Sequence, residues 1–167
     1  LGHGQIIWEA IDFEDRPRRG QSAAQTRKIP VILSLSDPDD VEDCIRQPRA
    51  KGHWRALRLK RALRLCREAY AQGGVLSNVD LSLLLNCSDS NIAVLLSQWE
   101  REHDEIVPRR TTLHDVGSGV THKAIICRKR YLEGKDPGQV ARETFHTLQS
   151  VDRYLGQYDR VRHCRHQ

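Results

Sequence analysis

The chain has 167 residues, enough for one compact domain or two small ones, and 38% of them are hydrophobic. No apolar run approaches the roughly 18 residues of a membrane helix, and no signal-peptide pattern opens the chain, so we expect a cytoplasmic protein without a membrane partner. The net charge of +5 is uneven: residues 1–45 hold five Lys/Arg against nine Asp/Glu, whereas residues 46–167 hold 22 against 13. Any polyanion is therefore expected to bind the C-terminal three quarters.

The termini and cysteines set two further expectations. The sequence begins with Leu1 and contains no methionine, so we expect further residues before Leu1 in the full-length protein. Its five cysteines lie 21 to 40 residues apart, and no pair has the C-x₂-C spacing of a zinc site. An odd number of cysteines argues against a complete disulfide framework. We expect buried free thiols and no metal or other cofactor.

Two N-terminal segments, QIIWEAI (5–11) and KIPVILSL (28–35), are rich in Ile, Val and Trp and predict strands. We expect an antiparallel pair with Pro30 at an edge or at the start of its strand. Two strands alone are marginally stable, so the pair should pack on helices. A short helix follows in SDPDDVEDCIRQ (36–47), with Pro38 in its first turn and acids near its N-terminus.

A longer helix is predicted from His53 to Gln72, because its apolar residues recur at helical spacing. Gly73-Gly74 is expected to end it as a C-cap. Nine Lys/Arg fall between Arg46 and Arg67 with no acid among them. This basic run favours contacts with phosphates, and a solvated surface is the alternative.

The segment from Leu76 to Glu102 predicts two short helices separated by a turn at Asn86-Cys87-Ser88. Ser77 is a good N-cap for the first helix, and Ser88 or Asp89 for the second. The spacing of a small residue, a left-handed turn residue and two apolar anchors is that of a helix-turn-helix: Ser82, Asn86, Ile92 and Leu95. Such a unit usually lays its second helix in the major groove of DNA. An ordinary helical hairpin is the alternative.

After this helix pair, Ile106-Val107 and Thr111-Thr112 flank Pro108-Arg109-Arg110 and predict a short hairpin. A hairpin directly after the second helix occupies the position of the wing in a winged-helix domain. The alternative is a surface turn with unpaired charges. Gly117-Ser118-Gly119 then predicts a flexible joint.

The remaining residues predict three more helices. The last two of them repeat the first helix pair at an offset of 59 residues. The expected helices are His122–Glu133, Asp136–Thr144 and Thr147–Asp159, with Asp136 as an N-cap followed by Pro137. The small residue, the turn and both anchors recur at the same spacing, as Ala141, Phe145-His146-Thr147, Val151 and Tyr154. Phe145 is the exception, because Gly or Asn usually fills this turn position. The repeat predicts a second helix-turn-helix with a more open turn.

Residues 50–162 resemble the prokaryotic domain-of-unknown-function family 1670, and the strand pair resembles it more faintly. The most specific motifs are the GG-x-L-x-x-x-D-L run from Gly73 to Leu81, the GxGVTHK joint from Gly117 to Lys123, and ARETFHTLQSVDRYL. Members of that family look like tandem helix-turn-helix proteins, some of them found beside mobile elements. The resemblance implies DNA binding by fold and no established activity.

The candidate DNA contacts follow from these elements. Phosphate contacts are expected from the basic helix, the wing and the second unit: Arg55, Arg58, Arg61, Arg64, Arg109, Arg110, Lys123 and Arg142. Base contacts are expected mainly from Gln149, Ser150 and Arg153, with Asn91 and Gln98 secondary. The second helix of the first pair exposes no Lys or Arg between residues 89 and 98, so the second pair is favoured as the reader of bases.

The sequence thus predicts an α+β, mostly helical protein. Its expected parts are an N-terminal strand pair and linker (1–49), a winged helix-turn-helix (50–113), and a second helix-turn-helix with a basic tail (114–167). We expect sequence-specific binding of double-stranded DNA, as a nucleoid-associated regulator or as an accessory factor of a mobile element.

Two other interpretations stay open, an adaptor that docks a protein partner on the first helix pair and a homodimer. RNA binding is disfavoured by the few aromatic residues. No catalytic motif of the P-loop, H-E-x-x-H or G-x-S-x-G kind occurs, so no enzyme and no catalytic residue are expected.

Overall fold

The computed structural model describes residues 1–16, 21, 23–46, 52–114 and 120–165. The chain is α+β and mostly helical, as the sequence predicts. The predicted boundary at residues 49 and 50, the basic residues Arg49 and Lys51, and the joint at 117–119 lie outside the described residues. The elements in chain order are β1 (Gln5–Asp12), β2 (Lys28–Ser34), α1 (Pro38–Arg46), α2 (His53–Ala71), β3 (Gly74–Val75), α3 (Asn78–Leu85), α4 (Asp89–His103), α5 (Arg110–Leu113), α6 (Val120–Tyr131), α7 (Pro137–Glu143) and α8 (Leu148–Arg165).

The predicted strand pair is present, and the sheet contains a third strand that the sequence did not reveal. β1 pairs antiparallel with β2, with Trp8 opposite Val31. β3 then pairs with the end of β1, so that the strand order is β2-β1-β3. The Gly73-Gly74 pair supplies both the turn and this strand. Gly73 has a φ of 82°, and a Cβ on Gly74 would lie 2.8 Å from the Cβ of Ala10.

The outer edge of β2 is covered by side chains of α2 rather than by another strand. The carboxamide of Gln72 accepts a hydrogen bond from the Ile32 N–H at 2.8 Å and donates one to the Ile32 carbonyl at 2.7 Å. One turn earlier, the carboxylate of Glu68 accepts from the Ser34 N–H at 2.7 Å. These bonds satisfy the backbone groups that an edge strand leaves unpaired.

The sheet and the helices α2, α3 and α4 share one core. Val31 and Leu33 of β2 pack with Leu65 of α2 and Leu81 of α3, and all four side chains are buried. The two strands therefore gain from the helices the apolar cover that an isolated pair lacks. We call α2–α4 the first helical unit.

The helices α6, α7 and α8 form a second core of their own, which we call the second helical unit. Its buried residues include Ile126, Val140, Val151 and Leu155. The two units meet where Phe145 packs edge-on against Tyr70, with ring centroids 5.0 Å apart. The proposed division into domains stays a prediction.

Within the described residues, no single helix has both the length and the apolarity of a membrane span. Only α3 and α4 taken together pass that test, and the pair is bent by 107°. All five cysteines are free thiols, of which only Cys66 is buried.

Candidate nucleic-acid interface

The turn between α3 and α4 is fixed by local hydrogen bonds that the sequence anticipates. Ser77 and Asp80 form a capping box at the start of α3. Asn86 ends the helix in the left-handed region with a φ of 49°, and the next N–H donates to the Ser82 carbonyl at 3.1 Å. Ser88 then caps α4 by accepting from the Asn91 N–H at 3.3 Å. These bonds satisfy backbone groups on both sides of the turn, where the two helices meet at an angle of 107°.

The same bonds recur 59 residues later. Asp136 caps α7 by accepting from the Gln139 N–H at 3.0 Å. Phe145 has a φ of 57°, and the following N–H donates to the Ala141 carbonyl at 3.0 Å. Thr147 accepts from the Ser150 N–H at 3.2 Å, as Ser88 does in the first pair. The expectation of a more open second turn is therefore wrong, because Phe145 adopts the same backbone conformation as Asn86.

The predicted wing is absent from this position. Residues 105–108 have no regular structure, and a short helix, α5, begins at Arg110. The side chain of Arg109 is turned inward and only 4% exposed, facing Glu100, which is 1% exposed. Their two hydrogen bonds measure 3.2 and 3.0 Å, and Arg110 is half-buried. The expected hairpin and the expected phosphate contact of Arg109 are both corrected, because the arginine neutralises a buried carboxylate.

Glu100 also anchors the backbone after α4. Its carboxylate accepts from the Val107 N–H at 3.0 Å. Burial raises the pKa of Glu100, against the lowering effects of Arg109 and of this N–H. The sequence hides this site, since Arg109 and Glu100 look like exposed charges until α4 and the loop are packed together.

The basic helix α2 divides its arginines between the protein and the surface. Arg61 donates to the Leu35 carbonyl at 2.8 Å. Arg64 donates to the Ser34 carbonyl at 3.1 Å and pairs with Asp40 of α1. These two arginines hold the N-terminal segment in place. Their expected phosphate contacts are corrected, because both guanidinium groups already bond to oxygens of the chain. Arg55 and Arg58 lie on an exposed and a half-buried position, respectively.

The ion pair with Arg64 shifts both partners. Burial raises the pKa of Asp40, but hydrogen bonding and charge attraction from Arg64 outweigh it and leave that pKa below the usual value. The hydrogen bonds that Arg64 donates to Asp40 likewise raise the pKa of Arg64. Arg64 is therefore held in its charged form by a partner within the chain.

On the second unit, only some of the residues predicted to contact bases are exposed to solvent. Gln149 and Arg153 are exposed near the N-terminal end of α8, and Arg142 is exposed on α7. Ser150 is buried, and its hydroxyl accepts from Thr147 at 3.0 Å. The expected base contact of Ser150 is therefore corrected, because the residue serves the start of α8. Lys123 belongs to α6, and its ammonium lies 5.2 Å from the centroid of the Tyr154 ring of α8.

On the first unit, α4 presents a surface with little positive charge. Asn91 and Gln98 are exposed, as predicted. Gln98 already accepts from Arg55 at 2.6 Å and donates to Glu102 at 2.7 Å. Exposed Arg101, which was not among the predicted contacts, continues the same helix face three residues after Gln98.

The whole chain matches a known family model, described as "Protein of unknown function (DUF1670)", over residues 1–167. The chain belongs to this family. The match also covers the sheet and α1, so membership in DUF1670 extends beyond residues 50–162, where the sequence motifs lie. No curated protein and no solved structure matches the chain.

Proposed function

We propose that this DUF1670 protein binds double-stranded DNA sequence-specifically, as a transcription regulator or as an accessory DNA-binding factor of a mobile element. The observation that carries the proposal is the recurrence of one turn geometry, with left-handed residues at Asn86 and Phe145 and matching N-caps after each. The 107° angle of the first pair falls in the range of DNA-binding helix-turn-helix units, roughly 90–120°. Such a role would place the protein at the nucleoid.

The second helical unit is the proposed reader of bases. In helix-turn-helix proteins the N-terminal residues of the second helix face the base edges. Gln149 and Arg153 occupy such positions on α8 and are exposed. Glutamine pairs with adenine and arginine with guanine in the major groove. Exposed Arg142 on α7 is proposed to contact the backbone beside them.

Selection of duplexes from a random library, followed by mobility shifts at about 50 mM salt, tests the proposal. Gln149→Ala and Arg153→Ala should each weaken the selected duplex about 5- to 150-fold while changing random duplex less. Lys28→Ala, which removes one exposed cation from the sheet, is the matched control. Absence of duplex binding at this salt concentration would refute the proposal.

The salt dependence tests the number of phosphate contacts. Arg61, Arg64 and Arg109 bond to backbone carbonyl or carboxylate oxygens of the protein, so five of the eight predicted contacts remain as proposed: Arg55, Arg58, Arg110, Lys123 and Arg142. Five contacts correspond to a slope of log K against log salt of about −4.5, whereas all eight would give about −7.

A protein-interaction adaptor is the second candidate, and exposed apolar side chains on the first helix pair favour it. Val79 and Leu83 of α3 and Val94 of α4 are each more than half exposed. Such side chains suit a protein partner better than a phosphate backbone. Substituting Asn91, Val94 and Gln98 together by alanine separates the two functions. Lost complex assembly with unchanged DNA affinity would favour the adaptor.

A further inference from the structure

The second helices of the two helix pairs, α4 and α8, correspond at an offset of 59 residues. The left-handed residues of the two turns stand at this offset, and so do the side chains buried in the two cores. Ile92 and Leu96 of α4 correspond to Val151 and Leu155 of α8, and each of the four is at most 7% exposed. The opposite, outward faces of the two helices can therefore be compared position by position.

Each outward face carries a small residue followed one turn later by an exposed arginine. Ser97 and Arg101 occupy these positions on α4, and Gly156 and Arg160 occupy them on α8. In both helices the arginine Nε donates to the carbonyl of the small residue at 3.2 Å. Within the described part of the chain, the two terminal nitrogens of each guanidinium make no hydrogen bond or ion pair. Such a fork, held against its own helix, matches two oxygens of one phosphate.

The acids near these arginines do not neutralise them. Four acids lie close by in the sequence, and each bonds to another residue: Glu102 to Gln98, Asp104 to Arg128, Glu105 to Arg67, and Asp159 to Tyr131. Asp152 lies two turns before Arg160, about 12 Å along the helix. Both guanidinium groups therefore keep their charge available for an anion.

Gly156 has no evident structural role within α8. A glycine inside a helix destabilises it relative to alanine. The φ of Gly156 is not positive, and no heavy atom lies within 4 Å of a Cβ built on it. Neither the backbone conformation nor the packing of the described residues therefore requires glycine here. Glycine does permit the close approach of a ligand to the backbone, and the equivalent Ser97 is also small.

The arginine of α4 lies beside a phosphate contact that is already proposed. Arg55 of α2 donates to Gln98 at 2.6 Å, and Gln98 lies three residues before Arg101 on the same face of α4. Two arginines from different helices thus flank one amide. This arrangement suits a nucleic-acid strand better than a single anion, because a strand presents a row of phosphate charges.

We propose that Arg101 and Arg160 bind equivalent backbone phosphates of duplex DNA, with a strand lying against Ser97 on α4 and against Gly156 on α8. The proposal rests on the DNA binding proposed above and adds the first helix pair to the interface. This pair contributes affinity while α8 reads the bases, since phosphate contacts carry no sequence information. Two further contacts steepen the expected slope of log K against log salt from about −4.5 to about −6.3.

Mobility shifts between about 50 and 200 mM salt, on the selected duplex and on random duplex, test this proposal. Arg101→Gln and Arg160→Gln should each weaken both duplexes by a similar factor, on the order of tenfold. Each should also reduce the steepness of the slope by about 0.9, and the double variant by about 1.8. Arg27→Gln is the matched control, because it removes an exposed arginine that pairs with Asp12 in the sheet, and it should leave the slope unchanged.

A second pair of variants tests the close approach at Gly156. Gly156→Ala and Gly156→Leu should both raise the melting temperature, because both residues form helix better than glycine. Alanine is no larger than the serine at the equivalent position and should leave the affinity unchanged, whereas leucine should weaken both duplexes several-fold. The raised melting temperature establishes that the loss of affinity is not a loss of fold.

The outcomes distinguish this proposal from the proposed function. If Arg153→Ala weakens the selected duplex but the slope is unchanged in Arg101→Gln or in Arg160→Gln, the equivalence of the two arginines is overturned and the proposed function stands. Wild-type affinity of Gly156→Leu would likewise overturn the placement of the strand against α8. Absence of duplex binding by the wild-type protein would overturn both proposals together.

Discussion

The two helical units have the same turn geometry but different surroundings. In the first unit, α2 is covered by the sheet and by α1, and Arg61 and Arg64 bond to that cover. In the second unit, α6 and α8 border an open groove. Local hydrogen bonds thus reproduce a turn wherever the capping residues recur, whereas the packing around each copy decides which charged residues remain at the surface.

The largest expected difference between the two units is in the free energy of unfolding. It concerns two carboxylates at equivalent positions of α4 and α8. Glu100→Ala leaves Arg109 buried without its partner and should lower the free energy of unfolding by about 3–5 kcal/mol. At the equivalent position, exposed Asp159 accepts a hydrogen bond from Tyr131 at 2.6 Å. Asp159→Ala should cost less than about 1 kcal/mol. Urea denaturation measures both, and equal losses would contradict the comparison.

The next largest difference between the two units is expected in their contributions to DNA affinity. Arg153→Ala is expected to weaken a selected duplex by about 1–3 kcal/mol, whereas Asn91→Ala, on the corresponding helix of the first unit, should change it by less than about 1 kcal/mol. Titrations by fluorescence anisotropy on the same duplex give both values. A larger loss for Asn91→Ala would assign base reading to the first unit instead.

The turns themselves should respond alike. Glycine tolerates a positive φ better than alanine, so Asn86→Gly should be more stable than Asn86→Ala by about 1 kcal/mol. The same difference is expected between Phe145→Gly and Phe145→Ala, although both lose the contact with Tyr70. Thermal melts of the four variants provide the two differences. A difference near zero at Phe145 would mean that its turn is not equivalent to that at Asn86.

The smallest expected effect is an acid sensitivity of the second unit. Hydrogen bonds from Lys135, then from Lys129 and Gln139, lower the pKa of Glu143 from 4.5 to about 2, against a raising effect of burial. Because the folded state keeps this carboxylate ionised to lower pH than the unfolded chain, its contribution is present above pH 4.5 and is lost as the pH falls towards about 2. Glu143→Gln should therefore lower the melting temperature more at pH 7 than at low pH. An equal difference at both would contradict this assignment.

Much of the fold follows from local sequence rules. The bounds of β1, β2, α2 and α7 lie within a few residues of those predicted, whereas α8 continues to Arg165 instead of ending near Asp159 and α5 was not predicted. Ser77, Ser88 and Asp136 cap the helices they were predicted to cap. The repeat also predicts that Val140, Val151 and Tyr154 are buried. Such features depend on spacing within one or two turns, which a sequence displays directly.

The missed features depend on partners distant in the sequence. β3 contains only two residues, and its pairing with β1 depends on residues more than 60 positions apart. Arg109 lies in a run that is typical of an exposed turn, yet Glu100 and Thr112 hold it inside the protein. The ion pair of Arg64 with Asp40 has the same origin. No local pattern distinguishes an arginine that binds phosphate from one that binds a carboxylate of its own chain.

The side chains along β2 have a consequence for solubility. Gln72 presents an amide to Ile32 in the way that a neighbouring strand would, and Glu68 and Arg64 occupy the next backbone groups. A strand from another molecule would have to displace these three side chains before it could extend the sheet. On the opposite side, β3 pairs only with Ile11 and Asp12 of β1. At the β2 edge, resistance to edge-to-edge aggregation therefore depends on α2, so a variant that frays this helix should expose β2 as a template for misassembly before the core itself unfolds.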